Sequence, residues 1–120
     1  MLINDSVTVA VEIPIYLTAA DLAYYRHHGF DLDFHSEVIT GLIDFVQLRN
    51  GYLHILDYKP EAWKETRAHV QLTIYALALA RRTGLPLKNF KCAWFDEKDY
   101  FEFFPLTAVY HSRIEANRVN

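Results

Sequence analysis

Apolar side chains occupy alternate positions from Val7 to Tyr16, at Val7, Val9, Val11, Ile13 and Ile15. This period of two, rich in β-branched residues, predicts a strand. Thr18 followed by Asp21 gives a capping-box-like start to a short helix reaching about His28, with Gly29 suited to its end. Phe34 to Leu48 reads as one long strand or two pieces. Asn50-Gly51 is the strongest short-range hairpin signal in the chain. Tyr52 to Lys59 is the returning strand, stopped by Pro60. Glu61 to Arg82 is the longest helical stretch. Its second half, VQLTIYALALA, is apolar on most faces and is expected to be buried, and Gly84 and Pro86 close it. Asn89 to Phe95 and Tyr100 to Phe104 form a second predicted hairpin around Asp96-Glu97-Lys98-Asp99, and Thr107 to Asn117 a last helix. The order β, α, β, β, α, β, β, α implies a mixed α/β sheet with the long helix packed on it.

Composition narrows this picture. The 120 residues are 52% hydrophobic and 15% aromatic, which excludes a disordered chain. No repeat or linker interrupts them, so one domain over residues 1–120 is expected. The single cysteine, Cys92, rules out an internal disulfide framework and fits a reducing, cytoplasmic setting. No apolar run approaches the ~20 residues needed to span a membrane, and no secretory signal pattern opens the chain. The net charge of −3 does not advertise a broad phosphate-gripping surface. Any nucleic-acid chemistry must then rest on a local site, with bound cations supplying part of the positive field.

Such a site is suggested by the central hairpin. With Asn50-Gly51 as a two-residue turn, Leu48 faces Leu53, Val46 faces Ile55, and Asp44 is expected opposite Asp57, all on one face. Lys59 follows on that face. Two carboxylates about 5 Å apart repel by roughly 3 kcal/mol at an effective dielectric near 20. A shared proton, the nearby lysine or a divalent cation would offset this. A hard cation such as Mg²⁺ suits Asp44, Asp57 and the Tyr58 carbonyl as donors, and would lower the pKa of a bound water and neutralise a phosphate. Lys59 would orient or help deprotonate that water, or stabilise developing negative charge. The same spacing also fits a plain i, i+2 ion pair at a strand end beside a solvated Asp44, and a β-bulge would separate the acids.

Three segments then form a pattern: Gly41-Leu42-Ile43-Asp44, Ile55-Leu56-Asp57-Tyr58-Lys59 and Gln71-Leu72-Thr73-Ile74-Tyr75. In order and spacing they resemble the signature of PD-(D/E)XK nucleases, most nearly the RecB-like branch that includes Cas4-like exonucleases. The resemblance covers Val38 to Ala80, about a third of the chain. It implies a restriction-endonuclease-like fold, Asp44 and Asp57 as ligands of Mg²⁺ or Mn²⁺, and Lys59 as the catalytic lysine. Gln71 would contact substrate or hold the site's geometry, supported by Tyr75. The implied activity is hydrolysis of DNA. The branch usually carries a helix before the first strand that adds a metal ligand. With six residues before Val7, that helix is expected to be absent, supplied by another chain or lost from a longer parent. A catalytically degenerate domain that binds DNA or assembles with a partner is therefore the alternative.

Further positions are weighed beside these. On a continuous helix Lys64, Arg67, Gln71 and Tyr75 share a face, so Lys64 and Arg67 would reach flanking phosphates; ordinary solvated cations are the plainer reading. Glu12 is a possible further metal ligand, or a solvent-facing residue of its strand. His27, His28 and His35 lack the paired spacing of a transition-metal site. The aromatic hairpin from Phe101 to Phe104 is a natural contact for a homodimer.

Overall fold

The structure is a computed structural model that describes residues 7–30 and 38–107. Its elements are β1 (Val7–Thr18), α1 (Ala19–His27), β2 (Val38–Arg49), β3 (Tyr52–Tyr58), α2 (Ala68–Thr83), β4 (Phe90–Phe95) and β5 (Tyr100–Phe103). The strands form one sheet in the order β1-β2-β3-β4-β5. β3 and β4 are parallel, and all other neighbours are antiparallel. A parallel pair needs a long crossover, and α2 supplies it. The result is the mixed α/β architecture that the order of the elements predicts, consistent with a restriction-endonuclease-like domain.

Local chemistry accounts for the boundaries. Asn50 and Gly51 both take positive φ, 53° and 83°, as the tight turn between β2 and β3 requires. The turn sets the register from Arg49↔Tyr52 through Val46↔Ile55 to Phe45↔Leu56. Thr18 and Asp21 form a complete capping box at α1. Asp21 then does more. It is 4% exposed and binds Arg81 and Arg82 near the end of α2, while Tyr25 Oη donates to the Leu77 carbonyl at 2.5 Å. These contacts fasten α1 to α2. In α2, Leu72, Tyr75, Ala76, Leu77, Ala78 and Ala80 are all buried, as its apolar second half predicts. The core joins them to Ile15, Leu17, Ile43, Val46, Ile55, Phe90 and Cys92 of the sheet.

Two expectations need correction, and two more fall partly or almost wholly outside the described residues. The apolar strip of the hairpin is buried only in its middle, since Leu48 is 43% exposed. The predicted helix from Glu61 to Arg82 is broken. A 3₁₀ turn occupies Ala62–Lys64, Glu65 is extended, and α2 begins only at Ala68. Pro60 and Glu61, the latter at φ 55°, turn the chain, and Asp96 Oδ2 accepts the Ala62 N–H at 2.8 Å. Trp94 Nε1 donates to the Ala62 carbonyl at 3.1 Å. Groups from the second hairpin thus take backbone partners that a continuous helix would use. The strand predicted from Phe34 begins at Val38 in the described residues, and 34–37 lie outside them. The last predicted helix lies almost wholly outside the described residues, which end with helical positions 105–107.

The period of two also fails at one place that matters. Ile43 and Val46 are three residues apart, yet both enter the core. Across from them, Val11↔Phe45 and Ile13↔Ile43 flank Glu12, whose φ is 51°. β1 is therefore distorted at Glu12, although its register with β2 is the same on both sides of that residue and shifts only between Thr8 and Ala10.

Candidate active site

Asp44 lies on β2 across from that distortion. A continued β2–β3 ladder would place it directly opposite Asp57. Instead the paired register stops at Phe45↔Leu56. The Asp44 carboxylate accepts the Tyr58 backbone N–H at 3.2 Å, where regular pairing would have used β2 backbone. The direct Asp44–Asp57 ladder pair is thus not formed, because the paired stretch ends one position before it. The two side chains are nonetheless close enough for Asp44 to raise the Asp57 pKa.

Asp57 is 6% exposed and is held on both sides, paired with Phe90's strand at Trp94 and with β2 through its neighbour Leu56. Its Oδ2 lies 3.0 Å from Lys59 Nζ. This ion pair lacks hydrogen-bond alignment, so Oδ2 is buried without a hydrogen-bond partner. Burial and the neighbouring Asp44 push the Asp57 carboxyl up to about 6, against the opposing pull of Lys59. The Lys59 ammonium is shifted the other way. Burial works against its charge, but the contact with Asp57 outweighs this and raises its pKa. Lys59 is therefore a cation at neutral pH.

An open cleft of about 570 Å³ runs from Lys59 toward α2, lined among others by Glu65, Arg67, Gln71 and Tyr75. Three of the residues singled out on the predicted helix thus share one wall with Lys59. Lys64 does not. The break before Ala68 takes it off the α2 face, where it pairs with Glu61 at 3.5 Å and lies over the Trp63 ring. Gln71 Nε2 donates to Tyr75 Oη at 2.8 Å, which holds the amide in one orientation at the cleft. Tyr75 in turn packs on Gly41. A Cβ at Gly41 would overlap the ring's Cε1 and lie 3.0 Å from Cζ and Oη. The role of Gly41 was hidden in the sequence because its partner is on another element. Glu65 was also missed: the expected helix would have turned it away, and its extended conformation brings it to the cleft.

On the other side of Asp44 a second concavity is lined by Val11, Glu12, Asp44, Phe45 and Tyr58. Glu12 is exposed there, near Asp44, so it does not enter the Asp57–Lys59 contact. Tyr58 is the last residue of β3, and its hydroxyl bonds Glu97. Elsewhere, His28 Nδ1 lies 2.7 Å from the Tyr24 carbonyl, His54 faces Gln47 and Lys91, and His35 is outside the described residues.

The donors fit a hard divalent cation. They are two adjoining carboxylates, one with a buried oxygen that no hydrogen bond satisfies. Among the described residues no group of three or more His, Cys, Asp or Glu side chains gathers into a metal cluster. A hard divalent cation takes as few as one or two carboxylates and completes its shell with water and substrate oxygens. No helix among the described residues is long and apolar enough to cross a membrane. A family model described as the PD-(D/E)XK nuclease superfamily matches residues 8–112. No curated protein matches the chain.

Proposed function

We propose, for a chain that belongs to the PD-(D/E)XK nuclease superfamily, that Asp44, Asp57 and Lys59 form the active site of a metal-dependent nuclease that hydrolyses DNA. The observation that carries this reading is the meeting of two carboxylates where the β2–β3 pairing ends, one of them buried and 3.0 Å from the Lys59 ammonium. Mg²⁺ or Mn²⁺, held by Asp44 and Asp57 with the Tyr58 carbonyl as a further donor, would supply Lewis acidity to the scissile phosphate and its attacking water. Lys59, kept as an ammonium by Asp57, orients that water and stabilises the negative charge that develops on phosphorus-bound oxygen. Arg67 takes a flanking phosphate from across the cleft, and Gln71, fixed by Tyr75, positions the strand. The order Gly41…Asp44, Asp57…Lys59, Gln71…Tyr75, now joined by the Gly41–Tyr75 and Gln71–Tyr75 contacts, supports placement in the RecB-like branch.

Labelled single- and double-stranded DNA, with RNA alongside, tests the proposal. Cleavage is expected only with Mg²⁺ or Mn²⁺, is expected to stop in chelator, and is expected to fall at least about 100-fold in Lys59→Ala. Binding of DNA without cleavage by a folded wild-type protein in either cation would instead support a degenerate, non-catalytic domain.

A further inference from the structure

We propose that Trp63 is a stacking platform for an unpaired nucleobase of the substrate strand, just outside the cleft. The inference rests on the nuclease reading above. Trp63 is the most exposed large hydrophobic side chain among the described residues, at 64%. A tryptophan in that position on a loose loop would mean little. Here the turn that carries it is fixed from several sides. Ala62, its neighbour, is buried, and both backbone groups of Ala62 are taken by side chains of the second hairpin, Asp96 and Trp94. The Lys64 N–H and Glu65 N–H close back onto Glu61 and Ala62 at 2.9 and 3.1 Å. Glu61 accepts an unfavourable left-handed conformation at φ 55° to start the turn. A fixed turn that begins at a left-handed residue thus holds an indole in solvent.

The location suits a nucleic-acid strand. Trp63 is two residues from Glu65 on the cleft wall, no more than ~7.6 Å of backbone away. Lys59 and Arg67, four residues to either side, both line the cleft. Lys64 Nζ lies 5.0 Å from the Trp63 ring centroid, so a cation already accompanies the aromatic surface. Lys64 pairs with Glu61, and Glu65 shares the wall with Lys59 and Arg67, so the surroundings are mixed in charge. An exposed ring with cations at hand is nonetheless the arrangement that single-strand binders use, since every base offers a π-face while lysine and arginine follow the phosphates. A fully paired duplex presents no free base face to the indole. The platform therefore favours single strands or frayed ends, which contributes preference to a chain with net charge −3 and little long-range pull on nucleic acid.

The test measures binding in chelator, where nothing is cut, with a short labelled oligothymidylate and a matched strand made of abasic units. Wild-type protein is expected to bind the oligothymidylate more tightly than the abasic strand, with quenching of tryptophan emission that Trp63→Phe removes. Trp63→Ala is expected to weaken oligothymidylate binding roughly 5- to 100-fold and to leave abasic binding unchanged, while Trp63→Phe retains most of the affinity. Thermal unfolding of Trp63→Ala is expected to match wild type, because the side chain lies in solvent. Unchanged oligothymidylate affinity, equal weakening on both strands, or absence of quenching overturns the proposal. The two readings fail separately. A protein that cuts DNA but ignores the Trp63 substitution keeps the nuclease reading and loses the platform. One that never cuts yet distinguishes the strands through Trp63 does the reverse.

Discussion

Replacing Asp57 by asparagine keeps the side-chain shape while removing a buried charge set against Asp44. With its pKa raised to about 6 from 3.8, the folded protein prefers this carboxyl protonated. The contribution to stability is therefore present below about pH 4 and lost as pH rises through about 6. Asp57→Asn is expected to be more stable than wild type at pH 7.5 in chelator, by on the order of 2 kcal/mol and a few degrees in Tm. The advantage should shrink at pH 4 and on addition of Mn²⁺ to the wild type. Calorimetry at the two pH values checks this, and a variant less stable than wild type at pH 7.5 would show that Asp57 serves mainly its ion pair with Lys59. The Asp57-x-Lys59 spacing and the proximity of Asp44 were both legible in the sequence. The way they meet was not. A regular ladder predicts direct opposition, whereas the structure uses a side-chain acceptor for the Tyr58 N–H. That substitution lies beside the distortion of β1 at Glu12, which no spacing within the hairpin reveals.

Gly41 on β2 links the sheet to the cleft through packing alone. Gly41→Ala is expected to push the Tyr75 ring from its seat and carry Gln71 with it. The expected result is a 10-fold or larger loss of cleavage, as an order of magnitude for misplaced positioning groups, with Lys59 and the carboxylates untouched. Tyr75→Phe, which keeps the ring and deletes the Gln71 acceptor, separates packing from hydrogen bonding; cleavage rates of the two variants provide the check. Elements that depend on adjacent residues were readable in advance. The Asn50-Gly51 turn and the Thr18–Asp21 cap are local chemistry. The long helix was not, because helical periodicity continues through Glu61–Arg67 while Asp96 and Trp94, over thirty positions away in the chain, hold Ala62 in a turn. The misreading had a functional consequence, since it placed Lys64 in the cleft and left Glu65 out.

The packing of the two helices makes the whole molecule acid-sensitive at Asp21. Burial works to raise the Asp21 carboxyl, but bonds from Thr18 and Arg81, with the charge of Arg82, hold it below the usual carboxylate range. A depressed carboxylate stabilises the fold above its unfolded value near 4 and loses that contribution as pH falls through the lower folded value. Asp21→Asn is expected to cost about 3 kcal/mol at pH 7, because Arg81 and Arg82 lose their shared partner, and the deficit should narrow in acid. Urea unfolding at pH 7 and pH 3 measures both. Substrate binding has an equally modest electrostatic basis. If Lys59, Lys64 and Arg67 provide the phosphate contacts, the logarithm of single-strand affinity should fall with the logarithm of salt at a slope of about −2. A much steeper slope would require basic groups beyond these three.

Diffraction from crystals soaked in Mn²⁺, with data collected at the manganese absorption edge, examines the site itself. The anomalous map should show a peak within coordination distance of both the Asp44 and Asp57 carboxylates, lost in Asp57→Asn. Manganese bound elsewhere, or a peak that survives Asp57→Asn unchanged, would contradict the assignment of these two carboxylates as the cation site of a nuclease.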